Sequence, residues 1–128
     1  MISRITVGFA CTLMVSFTLS ANAERPIEEA YVLHCSGCHG LDGAGIPSLV
    51  PSLRELAGLL DHDDGRAYLV RVPGVAQAPL PDRELAALLN WVMEQLSGVP
   101  NFAPYTSDEI GHWRSQPLRD PLKSRPEI

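Results

Sequence analysis

The longest helical periodicity in the chain runs over residues 82–97, where Leu85, Leu88, Leu89, Val92 and Leu96 recur at three- and four-residue spacing among polar positions. Asp82 stands where a cap is expected, and Gly98 with Pro100 supplies the stop. A first helix is predicted over 26–38. There Pro26 suits the opening turn, Glu28 and Glu29 favour the positive end of the helix dipole, and Ile27, Ala30, Tyr31, Leu33 and His34 approximate an apolar face. Ser52 and Glu55 match a capping box for a short helix over 52–60, which Asp61-His62-Asp63-Asp64-Gly65 breaks. Residues 66–72, with Tyr68, Leu69 and Val72, predict a brief helix stopped by Pro73-Gly74. A second capping box, Thr106-Ser107-Asp108-Glu109, opens a helix through Ile110 and Trp113, and the proline-rich tail from Pro117 reads as extended or disordered. No β-rich run interrupts this pattern after the first 23 residues. The expected fold is therefore all-α, a bundle of three to five short helices without a sheet.

The first 23 residues have another pattern. Arg4 precedes an apolar run from Ile5 to Leu19, and Ala21-Asn22-Ala23 has the small-x-small form of a secretory cleavage site. Residues 1–23 are read as a signal peptide with the mature chain starting at Glu24, which places the protein in the periplasm with no membrane span after cleavage; an uncleaved anchor is the alternative. Cys11 leaves with this segment. The 128 residues carry 10 basic and 15 acidic side chains, a net charge of −5 that becomes one unit more negative without Arg4. Such a balance argues against nucleic acid as a partner and suits docking to a basic patch on another protein.

The chemistry concentrates in Cys35-Ser36-Gly37-Cys38-His39, which has the spacing of a c-type haem attachment site. Two thiols on one turn can add to the two vinyl groups of a haem as thioethers, and the histidine behind the second can ligate the iron from the proximal side. A zinc site needs further ligands at matching spacing, and no cysteine follows Cys38. A thioredoxin-like dithiol belongs in a βαβ pattern, which this chain lacks. The expected cofactor is one haem c per chain, held by Cys35 and Cys38 with His39 on the iron. His34, one step before Cys35, reads as a surface or packing residue, and His62 among its aspartates as part of an exposed loop. From Gly40 to Pro51, glycines and prolines make a loop that can approach a haem edge closely.

With these features in order, residues 24–97 resemble a small class I (monohaem) cytochrome c, most specifically at Cys35, Cys38, His39 and Gly40. The resemblance implies that the helix ending in the haem motif crosses the terminal helix, with Tyr31 and Trp91 near the crossing. It also implies that the Pro51 carbonyl accepts the second N–H of the proximal histidine, fixing its tautomer. The chain departs from the family at the sixth ligand, normally a methionine in the loop before the last helix. That loop is Gly74-Val75-Ala76-Gln77-Ala78-Pro79-Leu80, and alignment on Gly74 and Leu80-Pro81-Asp82 puts Gln77 at the methionine's place. The sixth position is thus open, or taken by Gln77, by His112 folding back from the extension, by Met93 or by His62.

The domain reading is a haem domain over 24–98 followed by an extension over 99–128, a short helix and then a flexible tail. The implied function is periplasmic electron transfer to or from a redox partner protein such as a dehydrogenase or terminal oxidase, not catalysis. Two other classes stay open. One is a pentacoordinate haem c protein that binds or senses small ligands; nothing in the loop offers a strong acid–base pair for peroxide chemistry, which argues against an enzymatic version. The other is a cytochrome subunit of a larger dehydrogenase, with the extension as its docking arm.

Overall fold

A computed structural model describes residues 26–62 and 64–126. The expected signal peptide at 1–23, Cys11, Glu24 and Asp63 lie outside the described residues. Within them the chain is all-α, without a β-strand, as the hydrophobic pattern predicts; an isolated bridge joins Ile46 and Val50. Seven α-helices are present where three to five were expected: α1 (Ile27–His34), α2 (Ser36–His39), α3 (Ala57–Leu60), α4 (Gly65–Arg71), α5 (Pro73–Ala76), α6 (Asp82–Gln95) and α7 (Ser107–Arg114). The excess comes from single-turn helices, which are too short to display a period. Cys35 interrupts the predicted first helix with φ −125° and ψ −39°, separating α1 from α2. Ser52 caps a 3-10 turn over Leu53–Glu55 by accepting from the Arg54 N–H, and α3 starts only after it. Pro73 occupies the first position of α5, where its missing N–H costs nothing, so it opens a helix as well as closing one.

The fold is organised on α6. One face of that helix buries Leu85, Ala86, Leu88, Leu89, Val92 and Met93. Helix α1 packs on it, with the Tyr31 and Trp91 rings 5.3 Å apart at 43°. Close approach elsewhere depends on Gly65 at the start of α4: a Cβ there meets the Leu59 carbonyl oxygen at 1.6 Å. Among the described residues no helix is long and apolar enough to cross a membrane.

Residues 99–126 belong to the same packed body. Tyr105 and Ile110 are among its buried side chains, at 3% and 0% exposure. Thr106 caps α7 through the Glu109 N–H, as the capping box predicts. The Asn90 side chain brackets the Tyr105 backbone, accepting its N–H at 2.7 Å and donating to its carbonyl at 3.1 Å. Arg66 of α4 donates to both carboxylate oxygens of Glu109, at 2.9 and 2.7 Å, and lies over the Tyr105 ring. The tail beyond Pro117 differs from expectation. Its Leu118 N–H donates to the Arg71 carbonyl at 2.8 Å, and the Tyr68 hydroxyl donates to the Pro121 carbonyl at 3.0 Å. Low periodicity is a poor guide there, because isolated hydrogen bonds to α4 and one apolar side chain, Leu118, packed against the core hold the segment.

Asp82 also differs from its expected role. Pro81 is the N-cap of α6, and the Asp82 carboxylate in the first turn accepts instead from Arg114, at 2.8 Å. The Arg114 guanidinium further donates to the carbonyls of Ala76, Ala78 and Leu80, at 3.1, 2.6 and 2.8 Å, and so ties α7 to the segment between α5 and α6. Arg114→Ala strands three acceptors and a carboxylate together. It is expected to lower unfolding stability by about 2–3 kcal/mol, the scale of charge-assisted bonds, with partial recovery in Arg114→Lys. Denaturant midpoints of the three proteins check this.

Candidate functional site

The break at Cys35 determines how the motif is presented. Its N–H still donates to Tyr31 at 2.9 Å, while its carbonyl accepts from Cys38 and His39 at 3.2 and 3.0 Å. Helix α2 thereby starts in a new direction, and one turn of it holds Cys38 and His39. Gly40 ends that turn at φ +74°, a left-handed conformation that glycine adopts without penalty. The Tyr31 hydroxyl donates to the Gly40 carbonyl at 2.6 Å and so pins the end of α2 to α1.

From Gly40 the chain makes a tight excursion and returns. The Gly45 N–H donates to the His39 carbonyl at 2.9 Å, and the Leu53 N–H to the Gly43 carbonyl at 2.8 Å. Gly45 has no room for a side chain, since a Cβ there lies 2.4 Å from the Val50 carbonyl oxygen. This return brings the Pro51 carbonyl to 3.1 Å from His39 Nδ1. A carbonyl only accepts, so Nδ1 carries the proton and Nε2 keeps its lone pair. Burial pushes the His39 imidazole below its ordinary pKa, against an upward pull from the Pro51 carbonyl, and so favours the neutral ring that a metal requires. Burial, and next the neighbouring Cys38, push the Cys35 thiol up. Both cysteines are free thiols.

Cys35, Cys38 and His39 face a common cavity of about 500 Å³. Its walls are largely aliphatic: Leu53, Leu56 and Leu59 on one stretch, Leu69 of α4, Val72 between α4 and α5, Val75 of α5, and Leu89 and Val92 from α6. Pro51 also borders it. The volume lies within the range of small-molecule and cofactor pockets, on the order of 300–1,000 Å³. Among the described residues no three His, Cys, Asp or Glu side chains come together to hold a metal ion.

The four sixth-ligand candidates are distributed unevenly. Gln77 is the exposed C-cap of α5, and its side chain is not on the cavity wall. His62 is exposed and away from the cavity. His112 is exposed on α7, edge-on to Trp113 at 4.5 Å. Met93, 1% exposed, lines the cavity. Alignment on Gly74 and Leu80-Pro81-Asp82 places Gln77 where the family's methionine faces the iron. The loop winds into α5, however, and this turns position 77 outward. The cavity also takes His34, Tyr68, Pro121, Leu122 and Arg125, none of which the motif implicates. No signal local to 117–126 marks the last three. No protein-family model matches the chain, and a search against curated proteins finds no match.

The loop that carries the Pro51 carbonyl is clamped at its base by Asp42, whose carboxylate accepts from the Ala44 N–H at 3.1 Å and from the Arg54 guanidinium. The Ala44 N–H, then Arg54, hold the Asp42 carboxyl below the usual carboxylate range. A carboxyl with a lowered folded pKa contributes stability above its unfolded value of about 4, and loses it as pH falls through the lowered value. Asp42→Asn should therefore flatten the acid limb of stability below about pH 4. Unfolding midpoints of wild type and variant, compared at neutral pH and at about pH 3, check the sign.

Proposed function

We propose that this chain is a small class I cytochrome c, an exported periplasmic electron carrier holding one haem c through Cys35 and Cys38 with His39 as proximal iron ligand. The observation that carries the reading is the convergence of two free thiols and an imidazole with a free Nε2 on one aliphatic cavity. The residues present fit that group. An apolar wall suits a macrocycle, and Cys35 and Cys38 would hold it as thioethers, each S–H adding across a vinyl group. The contact of α1 with α6, with Tyr31 against Trp91, supports the cytochrome c-like architecture.

When bound, the haem supplies a ferric/ferrous couple that carries one electron. The chain's residues set its surroundings. The Pro51 carbonyl holds the Nδ1 proton and the ring orientation of His39, which strengthens Nε2 as a donor. Tyr31 keeps α2 in register through Gly40. The aliphatic walls exclude water, and Met93 is the one sixth-ligand candidate on them. The acidic balance of the chain suits a basic patch on a partner such as a periplasmic dehydrogenase or terminal oxidase.

A second reading, a haem c protein that binds small ligands, is favoured by one observation: the loop over 74–80 brings only Gly74 and Val75 to the cavity, neither of which can ligate iron.

The exported protein is expected to be one haem heavier than its polypeptide and to keep its colour in the protein phase on acid–acetone extraction. Pigment passing to the organic layer overturns the reading. For the sixth position, Gln77→Leu is expected to leave the visible spectrum unchanged, since that side chain is exposed. Met93→Leu nearly conserves volume and is expected to make the ferrous protein bind carbon monoxide faster than wild type does. Fast binding by both proteins favours the second reading.

A further inference from the structure

The cavity has one charged group that neither thioether attachment nor His39 ligation uses. Among the described residues, Arg125 is the sole Lys, Arg, Asp or Glu side chain on its wall. It comes from the far end of the chain, on a strap fastened to α4. The Arg71 guanidinium donates to the Gln116 carbonyl at 2.8 Å, the Leu118 N–H donates back to the Arg71 carbonyl, and the Tyr68 hydroxyl holds Pro121. Beyond Pro121 the chain turns on Asp120, which accepts from the backbone N–H groups of Lys123 and Ser124. That turn sets Leu122 and Arg125 at the cavity edge.

Arg125 is half-buried, and no hydrogen bond or ion pair engages it among the described residues. Its charge is felt at Tyr68, where burial raises the hydroxyl's pKa and Arg125 pulls it down. A guanidinium beside aliphatic walls loses hydration, and an anion that accepts its parallel N–H groups offsets that loss. A carboxylate matches the fork with two parallel bonds.

We infer that Arg125 binds a carboxylate of the cavity's occupant. On the haem reading, on which this rests, that carboxylate is a propionate, since a haem's peripheral ionised groups are its two propionates. The C-terminal strap is then part of the cofactor site, and Arg125 neutralises charge that otherwise favours the ferric state.

The test uses the full-length exported protein and Arg125→Gln and Arg125→Lys. Mass spectrometry first establishes covalent haem in each. Optical redox titration then reads the ferric-to-ferrous ratio at a fixed poise. Arg125→Gln is expected to shift it toward ferric by about two- to fivefold, the scale of a partly screened ion pair, and Arg125→Lys to recover most of the shift. The difference between wild type and Arg125→Gln should narrow as salt rises. An unchanged ratio in haem-loaded Arg125→Gln overturns the inference, as does an equal shift in both variants, which marks a structural effect of the strap. Absence of covalent haem from wild type brings down the haem reading itself, and with it the propionate.

Discussion

The rest of the structure depends on the apolar face of α6. At fourteen residues this helix is the longest described, while α2, α3 and α5 are single turns of four residues that have no stability of their own in water. They persist by packing on longer neighbours, α2 on α1, α3 and α5 on α4, while α1 and α7 pack on α6. Helix α6 buries Leu85, Leu88, Leu89, Val92 and Met93, and part of that face, through Leu89, Val92 and Met93, lines the cavity. A core this small is marginal by area alone. An apolar occupant in contact with that much of the wall therefore stabilises the fold as well as serving its chemistry.

The candidate site is built by the same economy of short segments. Three features act in series: the kink at Cys35, the left-handed Gly40, and a loop that returns tightly enough to bring the Pro51 carbonyl to His39. None of them is a large energetic term. Together they determine which ring nitrogen bears the proton, and that decides whether the imidazole can act as a ligand toward the cavity. The Asp42–Arg54 clamp and the Tyr31 hydroxyl hold the ends of this excursion.

The extension has two attachments of different kinds. Ile110 and Tyr105 fill the core, as buried side chains do anywhere, whereas Arg66 and Arg114 reach backbone carbonyls and carboxylates across more than thirty residues of chain. Such charge-assisted bonds are directional, so they position α7 more than they drive its burial. The strap that follows inherits that placement through Arg71 and Tyr68 and arrives at the cavity.

What the sequence by itself determined is whatever rests on local spacing. The absence of strands among the described residues, the long periodic helix beginning at Asp82, the Thr106 capping box and the grouping of Cys35, Cys38 and His39 on adjacent turns all follow from periods and caps that act within a few residues. Pro51 was legible only through a resemblance, since a bond spanning twelve residues leaves no local trace. The tertiary structure alone decided the rest. Single-turn helices carry no period, so α5 has no trace in the hydrophobic pattern and neither has the outward direction of Gln77, while the helix expected over 52–60 is a 3-10 turn followed by α3. The sequence offers Met93 as one sixth-ligand candidate among four, and only the cavity beside α6 brings it near the attachment motif. Asp82 lost its expected capping role because Arg114, thirty-two residues away, takes its carboxylate. The tail from Pro117 lies ordered against α4 through bonds to Arg71 and Tyr68, contacts between residues far apart in the chain that no hydrophobic pattern encodes.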